Sequence, residues 1–252
     1  MIERIPHGPV LELRLARPPA NALSPELLRA LGEAVRGAPR EGARALVLSG
    51  RAGLFSAGLD VPLFVGLDRA RVRDAWRDFF ALLRALSGAP VPVAAALTGH
   101  APAGGCVLAL ACHWRVLAQG AFKIGLNEVA VGVRVPGPIA ALARHAVGAR
   151  AAERLCTSAE LIEAEAALRL GLVDELVLPD EVVARAVAWC EGQLRLPPAT
   201  LANTRTLLRA ELEAAFLSLD QAELERFLDE WFGAEAQAAL AAVVAKLAAK
   251  KK

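Results

Sequence analysis

Residues 91–118 read "VPVAAALTGHAPAGGCVLALACHWRVLA", and this stretch decides the fold. The run 91–97 is short, apolar and bounded by turn residues, which is the pattern of a buried strand. It ends at Leu97 or Thr98. The small residues from Gly99 to Gly105 then form a turn that opens an apolar helix near Gly104, and "WRVLA" at 114–118 returns as a second strand. Although this is the most apolar part of the chain, Pro92, Thr98, Gly99, His100, Pro102, Gly104 and Gly105 interrupt it, so it does not read as a membrane span.

The same alternation extends in both directions. "VLELRLA" (10–16), "ARALVLS" (43–49) and "LVDELVL" (172–178) read as further strands. Ser24-Pro25 is a helix start, with serine as N-cap and proline at the first helical position, for a helix ending near Gly37. Residues 68–87 form a longer helix in which Trp76, Phe79, Phe80, Leu83 and Leu86 make one core-facing stripe. The expected class is α/β. After about residue 178 the strands stop, and Ala, Leu, Glu and Arg recur at helical spacing, broken at Leu196-Pro197-Pro198 and near Gly233. The expected division is a core over 1–195 and a helical region over 196–252 whose wide Ala/Leu face serves oligomerisation.

Composition narrows the function. At 252 residues with 55% hydrophobic residues and a mean hydropathy of +0.39, the chain is long and apolar enough to bury a large core. A formal net charge of +2 gives no bulk attraction for nucleic acid. Cys106, Cys112, Cys156 and Cys190 form no CxxC pair and no cluster with histidine, so they are expected to be reduced thiols, with no bound metal. The N-terminus lacks the pattern of a leader, and a cytoplasmic location is expected. The closing "KLAAKKK" reads as a solvated helix end that complements the helix dipole.

Two segments can present free backbone N–H groups. "GRAGLFSAGLD" (50–60) follows a strand, and its glycines allow tight turns and close approach of a ligand. Ser56 is not in a Gly-x-Ser-x-Gly elbow, so serine catalysis is not indicated. The second segment is the helix start at Gly104, where unpaired N–H groups stabilise an anionic oxygen. It matches neither a Walker A loop nor a dinucleotide fingerprint. His100 and His113 flank it without partners that would make a triad. The third feature is Glu128 in "FKIGLNEVAVGVRV" (122–135), a carboxylate inside an apolar run.

Taken in order, "RPPANALS", "FSAGLD", "PAGGCVLALACHWRVLA", "FKIGLNEVAVGV" and "GARAAERLCTSAELIEAEAALRLGLVDELV" resemble the crotonase (enoyl-CoA hydratase/isomerase) superfamily over roughly residues 10–180. Within it, the likeness is greatest to the mitochondrial-type Δ3,Δ2-enoyl-CoA isomerases. The resemblance implies a spiral of ββα units, a homotrimer or dimer of trimers, and an acyl-CoA substrate whose coenzyme A is the only cofactor-like group. It also implies that Leu59 and Gly104 donate the two oxyanion N–H groups and that Glu128 is the acid/base. Ser56, Ala57, Gly58, Asp60 and Asn127 would complete the substrate-binding set, with Asp60 also able to fix its loop by capping.

The resemblance further separates two chemistries. Hydratases of this superfamily use a second glutamate after the Gly-Gly-Cys turn, where this chain has Val107. A single carboxylate suffices to carry a proton from the α to the γ carbon of a thioester enolate, which points to isomerisation in fatty-acid oxidation. The other readings are a weak hydratase or another CoA-enolate enzyme, and a protein that binds acyl-CoA without turnover. His113 replaces an aspartate common in the superfamily. Arg134 would lower the pKa of Glu128 if it folded back on it. Arg205 and Arg209 are candidates for the CoA phosphates.

Overall fold

The computed structural model describes residues 1–249; the last three lysines of the tail lie outside the described residues. The chain opens with an antiparallel pair, β1 (Ile2–His7) and β2 (Val10–Leu15), followed by α1 (Pro25–Gly37). Three similar turns of chain follow. The first is β3 (Ala45–Ser49), β4 (Gly53–Leu54), the short α2 (Val61–Val65) and α3 (Arg69–Ser87). The second is β5 (Val93–Leu97), β6 (Gly99–Pro102) and α4 (Gly104–Ala111), and the third is β7 (Trp114–Ala118), β8 (Lys123–Gly125) and α5 (Gly137–Val147). Then come α6 (Ala149–Ser158), β9 (Ile162–Glu163), α7 (Ala164–Leu170), β10 (Glu175–Val177) and α8 (Val182–Gln193). Four helices close the chain: α9 (Pro198–Leu208), α10 (Ala210–Leu217), α11 (Gln221–Trp231) and α12 (Ala234–Ala249).

Each turn gives its first strand to one sheet and its second to another. The larger sheet has the order β1-β2-β3-β5-β7-β10 and the smaller has β4-β6-β8-β9. This is the expected ββα spiral. From β2 onward the pairs of the larger sheet are parallel, and its inner strands β3 and β5 are buried along their whole length. The two-residue period of a strand divides their side chains. Leu46, Leu48, Val93, Ala95 and Leu97 join the main core, while Ala45, Val47, Ala94 and Ala96 pack under Val182, Ala186 and Cys190 of α8.

The helix expected at 68–87 runs from Arg69 to Ser87 with Asp68 as N-cap, and its aromatic stripe is core. Trp76 packs edge-on against Phe227, with ring centroids 4.7 Å apart, and against Trp231 at 5.8 Å. The last helices therefore lie on their own chain's core: α10 packs on α5 and α3, α11 on α3, and α12 on α2. Arg69 and Arg73 of α3 also pair with Glu225, and Arg84 with Glu213. These half-exposed pairs contribute little beside the buried aromatic contacts. Among the described residues no single helix is long and apolar enough to cross a membrane.

Candidate functional site

The loop between β4 and α2 is braced by the segment that precedes α1. Leu23 donates its N–H to Gly58 O at 2.8 Å and accepts from Asp60 N at 3.2 Å, so it bonds the residues on either side of Leu59. In a parallel bridge of this kind the intervening N–H points away from the partner strand. Among the described residues the Leu59 N–H has no acceptor. Asn21, buried and at φ +48°, donates its side-chain N–H to Phe55 O at 3.1 Å, and its own carbonyl accepts the Ser56 hydroxyl at 2.8 Å. Ala57 N donates to Ala20 O at 3.0 Å. "RPPANALS" is thus a scaffold for the site, a role that sequence reasoning missed for Asn21.

Ser56 is fully buried, and its hydroxyl accepts the Gly58 N–H at 3.2 Å, so it shapes the loop from inside. Asp60 caps α2 by accepting Leu63 N at 3.4 Å and pairs with Arg17 at 2.7 Å. Its capping role appears as expected, and its carboxylate is engaged within the protein.

The second N–H belongs to Gly104, the first residue of α4, where no intrahelical acceptor exists. The turn before it is strained. Ala103 has φ 48° and ψ −122°, a region that residues with a side chain rarely occupy, and its N–H is held by Gly125 O at 2.8 Å. The two loops touch through glycine. A Cβ on Gly58 would lie 3.1 Å from Gly104 N, and one on Gly104 would lie 3.4 Å from Leu59 N. Two N–H donors from distant parts of the chain are therefore brought side by side, at the end of a helix whose dipole favours an anion.

The bond from Ala103 to Gly125 also ties this corner to β8, three residues before Glu128. Glu128 opens a 3₁₀ turn, Val129–Val131, and its carbonyl accepts from Val131 N and Val133 N. The backbone alone holds the turn, so the side chain is spared from capping. Gly132, at φ +71°, lets the turn press against α12, where a Cβ would meet Ala236 Cα at 3.0 Å. Glu128 is 9% exposed, and its buried Oε2 has no partner among the described residues; the same holds for Oδ1 of neighbouring Asn127. Burial pushes the Glu128 carboxyl up to about 7, offset only by a backbone hydrogen bond. Its charge reaches the thiols of Cys106 in α4 and Cys156 in α6, each pushed up chiefly by burial and further by Glu128.

Arg134 does not fold back on Glu128. Its guanidinium reaches α11, pairing with Glu230 at 2.6 Å and Glu223 at 3.0 Å. Arg134→Ala is therefore expected to leave the midpoint of the acid limb of any Glu128-dependent pH–rate profile in place. It should cost no more than about 1 kcal/mol in a urea melt, because the pairs are partly exposed. An upward move of that midpoint would place Arg134 in the site after all.

His113 takes a structural place. Its Nδ1 accepts the Val93 N–H at 3.0 Å and its Nε2 lies 3.4 Å from Ser87 O, while burial and nearby arginines hold its pKa well below the usual histidine range. The neutral ring ties β5 to the end of α3. The buried ion pair of this region is Arg115 with Asp174, at 2.8 Å. His100 Nδ1 accepts Lys123 N at 3.1 Å and so links β6 to β8. Arg205 and Arg209 lie away from the two N–H donors: Arg209 donates to Cys112 O, which closes the helix that Gly104 opens. Eight residues of α4 put ~12 Å between those ends.

Paired N–H donors, together with a buried carboxyl whose Oε2 has no partner among the described residues and whose pKa is pushed up to about 7, can meet charge on a carbonyl oxygen while a proton moves on or off a carbon. Comparison with known proteins gives the family. The profile described as enoyl-CoA hydratase/isomerase matches residues 7–248, and the chain belongs to that family. Among its relatives is the "probable enoyl-CoA hydratase echA17" of Mycolicibacterium paratuberculosis, 35% identical over 86% of this chain and 84% of that one. Another is the mitochondrial enoyl-CoA delta isomerase 1 of Rattus norvegicus, 29% identical over 90% of this chain and 80% of that one. The solved structure of human mitochondrial Δ3,Δ2-enoyl-CoA isomerase superposes with a TM-score of 0.95 at 27% identity, covering 100% of this chain and 99% of the human one.

Proposed function

We propose that the protein converts 3-enoyl-CoA to 2-enoyl-CoA, in the oxidation of unsaturated fatty acids, with Glu128 as its single acid/base. The Leu59 and Gly104 N–H groups receive the thioester oxygen. Glu128 removes a proton from the α carbon, the electron pair moves into the thioester to give an enolate, and the same carboxyl returns the proton to the γ carbon as the double bond shifts. The reaction is redox-neutral and takes up no water. Its chemistry calls for no cofactor beyond the coenzyme A of the substrate.

The observation that carries this reading is the isolation of Glu128. It is buried, its Oε2 has no partner among the described residues, and the helix position where a hydratase of this superfamily would carry its second glutamate is Val107, fully buried. A pKa near 7 suits a group that must both accept and return a proton at neutral pH. Asn127 Oδ1, also unpartnered, is assigned to a donor on the substrate. The names of relatives such as echA17 favour hydration as the second reading.

Matched assays separate the readings. With 3-enoyl- and 2-enoyl-CoA of one chain length, isomerisation should exceed hydration by ~10²-fold or more, the scale of one missing general acid/base. Hydration at comparable rate would overturn the assignment, and coenzyme A binding without turnover of either substrate would leave a binding protein. The reading includes a cytoplasmic location and assembly as a homotrimer or dimer of trimers, supported by the exposure of Leu207 (76%) and Leu208 (70%) on α9.

A further inference from the structure

A hollow of about 1060 Å³ lies between α1, α3 and the α9–α10 junction, towards the closing end of α4. Arg36, Arg40, Arg84, Arg205 and Arg209 line it, against one carboxylate, Glu213, which is engaged by Arg84. Among the described residues the other four arginines have no acidic partner. Arg209 is satisfied by helix ends, donating to Ser87 O at 3.4 Å and Cys112 O at 3.3 Å, where the dipoles of α3 and α4 are negative. Arg205 has no such relief: its Nη1 is buried and has no acceptor.

Desolvation lowers the pKa of both groups, that of Arg209 to about 10. A desolvated guanidinium without a counter-charge is unfavourable in a fold, and here one stands in a hollow large enough for a ligand of nucleotide size. Arg36 and Arg40 at the mouth add two exposed cations, and most of the remaining wall is aliphatic. Several guanidiniums around one space match the geometry and charge of phosphate better than that of a single carboxylate.

We propose that this hollow is a second binding site, separate from Glu128, for a small organic anion bearing a phosphate or diphosphate, with Arg205 as its inner contact and Arg36 and Arg40 at its entrance. The aliphatic wall would take the body of the ligand. The proposal does not depend on which reaction Glu128 performs.

Calorimetric titration of the full chain with inorganic pyrophosphate, adenosine diphosphate and free coenzyme A tests it. Saturable binding tighter than ~1 mM is expected for pyrophosphate and for at least one of the organic anions. Arg205→Met should weaken it ~10- to 100-fold, as for loss of a charged hydrogen bond, whereas Glu128→Gln should not change it. Tighter binding of adenosine diphosphate, weakened by Arg205→Met, would identify a free nucleotide as the ligand, and coenzyme A binding weakened by Arg205→Met as much as that of pyrophosphate would identify the carrier half of a thioester. The exposed double variant Arg36→Ser/Arg40→Ser tests the same site without touching the core, and it should weaken pyrophosphate binding and flatten its salt dependence. Absence of saturable pyrophosphate binding, or equal affinity in the arginine variants and the wild type, would overturn the proposal.

Discussion

Glu128→Gln is expected to abolish isomerisation while making the protein more stable at and above neutral pH. The amide keeps the shape of the side chain but cannot carry the proton, so turnover should fall by ~10²–10⁴-fold or more, with substrate binding largely retained. The stability effect has the opposite sign. The wild-type carboxyl titrates at about 7 in the fold against 4.5 in its ordinary state, so the folded protein binds the proton more tightly than the unfolded chain. Its favourable contribution is complete below pH 4.5 and is lost as pH rises through 7. Above that, the wild type bears about 3 kcal/mol that the neutral glutamine does not. Urea melts from pH 4 to 9 should therefore show the variant's advantage growing with pH and levelling off above about 8. The same titration should give wild-type kcat/KM an acid limb centred near pH 7. A variant that keeps turnover removes Glu128 from the mechanism; one that loses turnover with no pH-dependent gain in stability shows that Glu128 is not desolvated in the free protein.

What the sequence reveals about this site depends on how local each signal is. Ser24-Pro25 and the stripe from Trp76 to Leu86 are written in consecutive residues, and both helices lie where those patterns place them. The smaller sheet is invisible by the same criterion. Gly53–Leu54 and Ile162–Glu163 are two residues long, and a period of two cannot be read from two residues. These strands exist because Gly53 pairs with Gly99, and Lys123 with Glu163, partners separated in sequence by whole helices. The direction of Arg134 was equally beyond reach, because its partners Glu223 and Glu230 lie about ninety residues later and are brought near by the packing of the last helices. Asn21 shows the intermediate case. A buried asparagine with positive φ is a local oddity, but its partners, the Phe55 carbonyl and the Ser56 hydroxyl, are 34 and 35 residues away. The reactive-looking letters were legible from the resemblance, whereas the groups that hold them are tertiary.

Gly58→Ala is expected to reduce kcat by ~10²–10³-fold, the cost typical of losing one oxyanion donor. Gly58 has φ +85°, and an added Cβ would lie 3.0 Å from Ala103 Cβ, 3.1 Å from Gly104 N and 3.2 Å from Pro102 O. None of these atoms belongs to a flexible side chain that could swing aside, so the loops must part and the Leu59 and Gly104 N–H groups must separate. In the proposed reaction the charge on the thioester oxygen is larger in the enolate than in the bound substrate, so the loss should fall on kcat far more than on KM. The backbone conformation itself adds about 1–3 kcal/mol of destabilisation, which must be separated from the effect on turnover. Gly53→Ala provides the separation. Gly53, in the short strand β4 that leads into this loop, is at φ +80°, yet nothing lies within 4 Å of its would-be Cβ. It should lose comparable stability in a urea melt and keep most of its turnover. If both variants lose activity in proportion to their stability, the Gly58–Gly104 contact is a packing feature and the two N–H groups do not act together. If only Gly58→Ala loses kcat, the contact between the two loops sets the spacing of the donors.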